Sequence, residues 1–184
     1  MIENNSENEA VYEVLLTEDQ ISERIYELGD EIIEDYQNND RALILVGVLN
    51  GAYMFTSDLS KRLEPLNPYV DFIGLSSYPE GERPSQLPVL RLDTKIDING
   101  ADVIIVEDIV DTGHSIHEAK ELLNRKNPNS IKVCSLLSKP SRREIEVEID
   151  YLGFEIPNYW VVGFGLDEDE QFRFNERIYR KIVK

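Results

Sequence analysis

The stretch Val103–Ile116, which reads VIIVEDIVDTGHSI, decides the fold of this chain. Four apolar, β-branched residues predict a buried strand over 103–106 that ends at two carboxylates, Glu107 and Asp108. A third carboxylate, Asp111, precedes small residues that lead into a helical pattern. α/β proteins bind phosphate with this kind of arrangement, in which a buried strand is followed by a turn whose N–H groups open a helix.

The acidic residues of this stretch place a further condition on the ligand. Carboxylates beside a phosphate site repel the phosphate unless they bind something else, such as sugar hydroxyls or a metal ion. A ligand that carries phosphate, ribose and a divalent cation would satisfy all of these groups. The alternative is that the acids are solvated residues of a turn, which leaves the small residues Thr112, Gly113 and Ser115 unexplained.

The pattern along the rest of the chain indicates alternating strands and helices. Thr17 and Gln20 form a predicted capping box before an amphipathic helix that extends to Tyr36. Further helices are predicted over 52–63 and 115–125, and strands over 42–48, 70–75, 103–106, 131–137, 151–154 and 160–164. This alternation predicts a doubly wound α/β sheet within a single domain, 1–184.

Two segments fall outside this alternation. Residues 76–91 contain three prolines, one glycine and several polar residues, and we expect a long exposed loop or irregular hairpin that acts as a mobile lid. Residues 1–12 carry no usable pattern and are expected to be flexible.

The composition excludes several functional classes. Asp and Glu total 36 against 19 Lys and Arg, a formal charge of −17, which disfavours binding to nucleic acid. The polar, acidic N-terminus does not resemble a signal peptide, and no apolar run reaches membrane-spanning length. The single cysteine, Cys134, is expected to be a small buried hydrophobic residue. We therefore expect a cytoplasmic protein without a nucleic-acid or membrane partner.

Residues 103–115 resemble the phosphoribosyl-diphosphate signature of type I phosphoribosyltransferases, in particular of the hypoxanthine(-guanine) branch. The resemblance extends from about Val14 to the C-terminus. Its other segments are LNGA at 49–52, SSY at 76–78, SLLSK at 135–139, GFEIP at 153–157, WVVGFGLD at 160–167 and FR at 172–173. It implies a doubly wound, mainly parallel central sheet flanked by helices, with a small hood built from the N- and C-terminal segments.

The resemblance assigns roles to the central motif. Thr112, Gly113, His114 and Ser115 would bind the 5′-phosphate. Glu107 and Asp108 would bind the ribose hydroxyls directly or through Mg²⁺, and Asp111 would accept the proton of purine N7. The family's substrate contacts also include the following residues: Ile109, Val110, and, in the diphosphate loop and the lid, Leu49, Asn50, Gly51, Ser77 and Tyr78.

The C-terminal half would supply the groups that read the base. Lys139 would donate to O6 of a 6-oxopurine, although a lone lysine at a strand end is commonly a surface charge. Trp160 would stack on the base, or else be a core residue, and Val161 would contribute backbone groups. Asp167 would join Glu107 and Asp108 in binding metal, or else belong to a solvated acidic cluster, and Arg173 would hold diphosphate.

The implied activity is Mg²⁺-dependent transfer of phosphoribose from 5-phosphoribosyl 1-diphosphate to hypoxanthine and also guanine, in a homodimer or homotetramer. Two alternatives remain at this point, a xanthine- or guanine-preferring enzyme and a non-catalytic sensor of phosphoribosyl diphosphate. The chain also departs from the family pattern at two places. Asn50 stands where many relatives have lysine, and Pro84-Ser85-Gln86 replaces the usual Ser-Thr-Gly of the lid.

Overall fold

The structure, a computed structural model, describes residues 11–76 and 89–182. The strands are β1 (Val11–Leu16), β2 (Leu43–Leu49), β3 (Tyr69–Ser76), β4 (Val89–Leu92), β5 (Asp102–Val110), β6 (Ser130–Ser138), β7 (Tyr151–Glu155), β8 (Val161–Val162) and β9 (Ile178–Ile182). The helices are α1 (Glu18–Tyr36), α2 (Tyr53–Arg62) and α3 (His114–Asn124), with short 3-10 turns at Glu64–Leu66 and Pro140–Arg142.

The strands form two sheets. The larger has the order β4-β3-β2-β5-β6-β7, and every neighbouring pair is parallel except β3 and β4 at one edge. The smaller sheet, in the order β1-β9-β8, is antiparallel and joins the two ends of the described chain. This confirms the prediction of a doubly wound, mainly parallel central sheet with a small hood.

The central strand β5 buries both of its faces, as an inner strand of a parallel sheet must. Ile104 and Val106 pack in the cluster that contains the apolar side chains of α1 and α2. Val103 and Ile105 pack on the opposite face with Ile116 and other apolar residues of α3. Cys134 is fully buried in the first cluster, which confirms its prediction as a core residue.

The sequence predicts α1 most closely, because its capping signal and its apolar period agree. The Thr17 hydroxyl accepts a hydrogen bond from the N–H of Gln20 at 3.3 Å, and the Gln20 side chain accepts one from the N–H of Thr17 at 3.0 Å. The buried face of the helix follows the predicted apolar positions, from Ile21 to Tyr36. The capping box is therefore confirmed.

Two predicted strand ends are wrong. The strand predicted over 103–106 continues as β5 to Val110, because the ladder to β6 pairs Glu107 with Ser135 and Val110 with Ser138. The strand predicted over 160–164 shortens to β8, since Gly163, Phe164 and Gly165 have φ values of 100°, 50° and 95°, which an extended strand cannot accommodate. The hood strands β1 and β9 were not predicted. The antiparallel pairing of β4 with β3 agrees with the irregular-hairpin alternative for residues 76–91.

The topology places a crevice at the carboxyl ends of β2 and β5. From β2 the chain passes through α2 to β3 on one side, and from β5 it passes through α3 to β6 on the other. Ligands of open α/β sheets bind at such a reversal of strand order. The carboxyl end of β5, with its acidic residues, therefore lies where this fold binds ligands.

Residues 1–10 and 77–88 lie outside the described ranges, so the lid and the flexible N-terminus stay predictions. Val11 and Tyr12 already pair with Ile182 and Lys181 in the hood sheet. In the described ranges, no helix has the length and apolar character needed to span a membrane.

Candidate active site

Two adjacent carboxylates are buried near the end of β5. Glu107 is 7% exposed and Asp108 8% exposed, so the alternative that they are solvated turn residues is wrong. Burial raises the pKa of Glu107 well above its ordinary range, and the charge of Asp108 raises it further. Burial also raises the pKa of Asp108, although hydrogen bonds, including one from the N–H of Ile109, act in the opposite direction.

One carboxylate oxygen of this pair has no hydrogen-bond partner in the part of the chain that the structure describes. Among the described residues, no group donates to Oε2 of Glu107, although the atom is buried. A buried, unpaired carboxylate oxygen is costly, and hydroxyl donors or a divalent cation would satisfy it. The pair therefore fits both ligands that the sequence predicts for it, the ribose hydroxyls and Mg²⁺.

The third predicted metal ligand, Asp167, has other partners in this structure. Its Oδ1 lies 2.9 Å from Nη2 of Arg173, and its Oδ2 accepts from the N–H of Glu170 at 2.9 Å. Across the described ranges, no group of three or more acidic, His or Cys side chains is arranged to hold a metal. A metal role for Asp167 beside Glu107 and Asp108 stays a prediction.

The loop after β2 packs directly on the acid pair. The peptide between Leu49 and Asn50 is cis. A Cβ atom at Gly51 would lie 1.8 Å from Oδ2 of Asp108, and one at Gly165 would lie 1.9 Å from the carbonyl oxygen of Gly51. Glycine at position 51 therefore lets the loop 49–51 lie directly against the Asp108 carboxylate, and glycine at position 165 lets a second loop lie directly against loop 49–51.

Arg173 holds the loop that contains Gly165 in place. Its Nη1 donates to the carbonyl of Gly165 at 2.8 Å, and the N–H of Gly165 donates to the carbonyl of Arg173 at 2.9 Å. The structure thereby brings together the acid pair, the predicted diphosphate loop 49–51 and the predicted diphosphate-binding arginine.

The predicted phosphate-binding turn opens α3. Gly113, with φ of 94°, is the residue before the first helical residue, His114. A Cβ atom at Gly113 would lie 2.4 Å from the carbonyl oxygen of Ile145, so space as well as backbone conformation requires glycine. The first N–H groups of a helix lack intrahelical acceptors and carry partial positive charge. Residues 112–115 therefore lie where an anion can be bound.

Asp111 follows β5 directly and lies among cations. Its Oδ1 accepts from Nε of Arg142 at 3.2 Å, and its Oδ2 is 3.6 Å from Nζ of Lys139. Lys139 is only 7% exposed, so the alternative that it is a surface charge is wrong. A carboxylate and a buried ammonium group thus stand side by side at one end of the crevice.

The remaining residues predicted to contact substrate differ in their exposure to solvent. Trp160 is 58% exposed, so the alternative of a core residue is wrong and its ring is available for stacking. Val161 is buried, and Ile109 is half-buried next to the buried Val110. Ser77 and Tyr78 lie outside the described residues.

The sequence reasoning missed two arginines at this site. Arg142 contacts the carboxylate of Asp111, and Arg143 donates to its backbone carbonyl at 2.6 Å. Adjacent arginines three residues after Lys139, in a chain with almost twice as many acidic as basic residues, were a signal that was not used.

Comparisons with known proteins agree with this geometry. The family model for a phosphoribosyl transferase domain matches residues 12–169. A hypoxanthine phosphoribosyltransferase of Escherichia coli strain K12 is 40% identical over 161 residues, 88% of this chain and 90% of that protein. A hypoxanthine-guanine phosphoribosyltransferase of Mycobacterium tuberculosis is 44% identical over 166 residues, 87% of this chain and 81% of that protein.

A solved structure of Trypanosoma cruzi hypoxanthine phosphoribosyl transferase superimposes with a TM-score of 0.84 at 36% identity, covering 97% of this chain and 94% of that one. That study concerns the role of the C-terminal region in the oligomeric state and enzymatic activity of the Trypanosoma protein.

The raised pKa of Glu107 predicts that the free energy of unfolding, measured without ligand, decreases as this carboxyl group loses its proton. Its carboxyl binds a proton more readily in the folded chain, so its contribution to stability is fully present below the unfolded pKa, about 4.3, and is lost as pH rises through the folded pKa. Glu107→Gln removes this charge. We expect the variant to have a higher unfolding free energy than the unmodified chain at neutral to alkaline pH, with the difference shrinking toward the unfolded pKa.

Urea unfolding in the presence of EDTA measures this difference. Glu121→Gln, on the exposed face of α3, is the matched control and is expected to leave the free energy of unfolding unchanged. A Glu107→Gln variant that is less stable than the unmodified chain throughout the pH range would contradict the account of the acid pair.

Proposed function

The chain belongs to the phosphoribosyl transferase family, and on this premise we propose that it transfers 5-phosphoribose from 5-phosphoribosyl 1-diphosphate to N9 of hypoxanthine and guanine. It is a purine-salvage enzyme of the hypoxanthine(-guanine) phosphoribosyltransferase class. The products are IMP or GMP and diphosphate. The observation that carries the purine assignment is the 3.6 Å contact between Asp111 and Lys139 beside the acid pair.

The acid pair and the turn at the start of α3 account for binding of phosphoribose. The 5′-phosphate accepts hydrogen bonds from the N–H groups and hydroxyls of residues 112–115, where the helix terminus favours negative charge. The ribose hydroxyls donate to Glu107 and Asp108, and the unpartnered Oε2 of Glu107 supports this assignment. Each hydroxyl bound there removes part of the cost of burying a carboxylate.

The same acid pair fits Mg²⁺. Glu107 and Asp108 would hold the ion, with Asp167 as a further ligand once it leaves Arg173. When bound, Mg²⁺ supplies neutralisation of the diphosphate charge in addition to that from Arg173, in a chain whose formal charge is −17.

Asp111 and Lys139 read one edge of the purine. N7 and O6 are neighbours on that edge, so two protein groups that contact them must also be neighbours. Lys139 can only donate and therefore pairs with the O6 acceptor rather than with the amino group of adenine. Trp160 stacks on the ring, and Val161 contributes backbone groups.

Bond formation between N9 and the anomeric carbon accompanies cleavage of the bond from that carbon to the diphosphate oxygen. The positive charge that develops on the sugar is stabilised by the nearby carboxylates. Asp111 accepts the N7 proton of the bound base, and the departing diphosphate is held by loop 49–51 and Arg173. For this, Asp111 must exchange its contact with Arg142, and Arg173 its contact with Asp167.

Three further features of the enzyme follow from its sequence and its relatives. Asn50 lacks the charge of the lysine found in many relatives, so we expect weaker binding of diphosphate at this loop. We propose a homodimer or homotetramer. The study of how the C-terminal region affects the oligomeric state of the Trypanosoma relative supports this proposal. We also propose a cytoplasmic location, consistent with a single, buried and unpaired cysteine.

The activity itself is tested with the purified chain, hypoxanthine, 5-phosphoribosyl 1-diphosphate and Mg²⁺. We expect formation of IMP and of equimolar diphosphate, measured by chromatography. EDTA is expected to abolish turnover, and adenine is expected to react at least about a hundredfold more slowly because Lys139 offers no acceptor to its amino group. Turnover of adenine at the rate of hypoxanthine would contradict the role of Lys139, and absence of any IMP would contradict the proposed function.

The role of Asp111 is tested by Asp111→Asn, which keeps the shape of the side chain but cannot accept the proton. We expect kcat with hypoxanthine to fall by about 10²–10⁴-fold, with the dissociation constant for 5-phosphoribosyl 1-diphosphate changed by less than about threefold. Steady-state kinetics and calorimetry measure the two quantities. Asp40→Asn, at an exposed position before β2, is the control for loss of one surface charge. Unchanged kcat in Asp111→Asn would remove Asp111 from proton transfer.

A further inference from the structure

Arg143 connects Asp111 to the end of the strand that precedes Lys139. Its Nη1 donates to the backbone carbonyl of Asp111 at 2.6 Å, and its Nη2 donates to the hydroxyl of Ser138 at 2.7 Å. Ser138 is 2% exposed and immediately precedes Lys139. One guanidinium group therefore spans from the residue proposed as proton acceptor to the strand end that carries the proposed O6 donor.

This bridge begins where the backbone pairing of the two strands ends. The ladder between β5 and β6 reaches its last pair at Val110 and Ser138, and the N–H of Lys139 donates to the carbonyl of Val110 at 3.0 Å. Asp111 lies one residue beyond the ladder, where backbone pairing no longer fixes its position. The hydrogen bond from Arg143 to its carbonyl continues the connection for one more residue.

The guanidinium group suits this task better than an ammonium group. Its donors are held in a rigid plane, so the distance between the two acceptors is set by covalent geometry. The side-chain stem runs past the turn at Gly113, since Cδ of Arg143 lies 3.3 Å from where a Cβ atom of Gly113 would be. The segment is further anchored by the N–H groups of Glu144 and Ile145, which both donate to the carbonyl of Thr112 at 3.0 Å.

We propose that Arg143 is a positioning residue for purine recognition, which sets the separation of Asp111 and Lys139 to match the spacing of N7 and O6. The inference rests on the proposed function, since it uses the purine as ligand. Arg143 itself does not touch the base. It acts through the backbone of Asp111 and through the strand end at Ser138.

Arg143→Lys and Arg143→Ala test the bridge, since lysine keeps the charge but cannot span both acceptors. We expect either variant to raise the dissociation constant of IMP and the KM for hypoxanthine by about tenfold or more, because small displacements of positioned groups have large effects. The dissociation constant of 5-phosphoribosyl 1-diphosphate, which lacks a base, is expected to change by less than about threefold. Calorimetry and steady-state kinetics measure these constants.

Two further variants separate positioning from folding. Ser138→Ala removes one acceptor of the bridge with a minimal change of volume and is expected to weaken IMP binding in the same direction. Arg125→Lys, at the exposed end of α3, is the matched control and is expected to bind IMP as the unmodified chain does. Full IMP affinity in Arg143→Lys, or an equal loss of affinity for IMP and 5-phosphoribosyl 1-diphosphate, would overturn the proposal.

A double-mutant cycle identifies the path of the effect. If Arg143 acts by positioning the groups that contact the base, the double variant Lys139→Ala/Arg143→Ala should bind IMP less than about threefold more weakly than Lys139→Ala alone. A loss of IMP affinity in the double variant equal to the sum of the two single losses in free energy would contradict this path. Turnover of hypoxanthine by the unmodified chain tests the proposed function separately. If no turnover occurs, the dissociation constants of IMP still test the role of Arg143. Identical IMP affinity of all variants would overturn that role.

Discussion

Two carboxylates buried side by side near the end of one strand are the constraint on which the rest of this structure depends. Removing adjacent like charges from water costs several kcal/mol unless something binds them. Burial raises the pKa of Glu107, and within residues 11–76 and 89–182 one of its oxygens has no hydrogen-bond partner. Gly51 lets the loop after β2 lie directly against the Asp108 carboxylate, where a Cβ atom would have no room. The fold thus maintains a binding capacity for hydroxyls and a cation.

The arrangement also explains how a strongly acidic chain can bind an anionic ligand. Basic side chains are fewer than acidic ones overall, yet Lys139, Arg142, Arg143 and Arg173 converge on the loops around the carboxyl ends of β2, β5 and β6. Backbone N–H groups at the start of α3 add partial positive charge without adding a basic residue. Local placement of cations therefore compensates for an unfavourable net charge.

The sequence predicted the parts of the fold that rest on local signals. The capping box at Thr17, the apolar period of α1 and the motif around β5 are contiguous, so their consequences can be read from neighbouring residues. The hood could not be predicted in detail, because β1 and β9 are short and pair across almost the whole chain. The burial of Lys139 likewise depends on tertiary contacts. The adjacent arginines at 142 and 143 indicate a local concentration of positive charge, but not which groups Arg143 bridges.

A crystal structure of the protein with Mg²⁺ and 5-phosphoribosyl 1-diphosphate, or a non-reactive analogue, would test the central claim most directly. The account predicts ribose hydroxyls or Mg²⁺ within bonding distance of the Glu107 and Asp108 carboxylates, and the 5′-phosphate on the N–H groups of residues 112–115. A complex in which the phosphoribose lies elsewhere, with the two carboxylates unchanged and without a new partner, would contradict it.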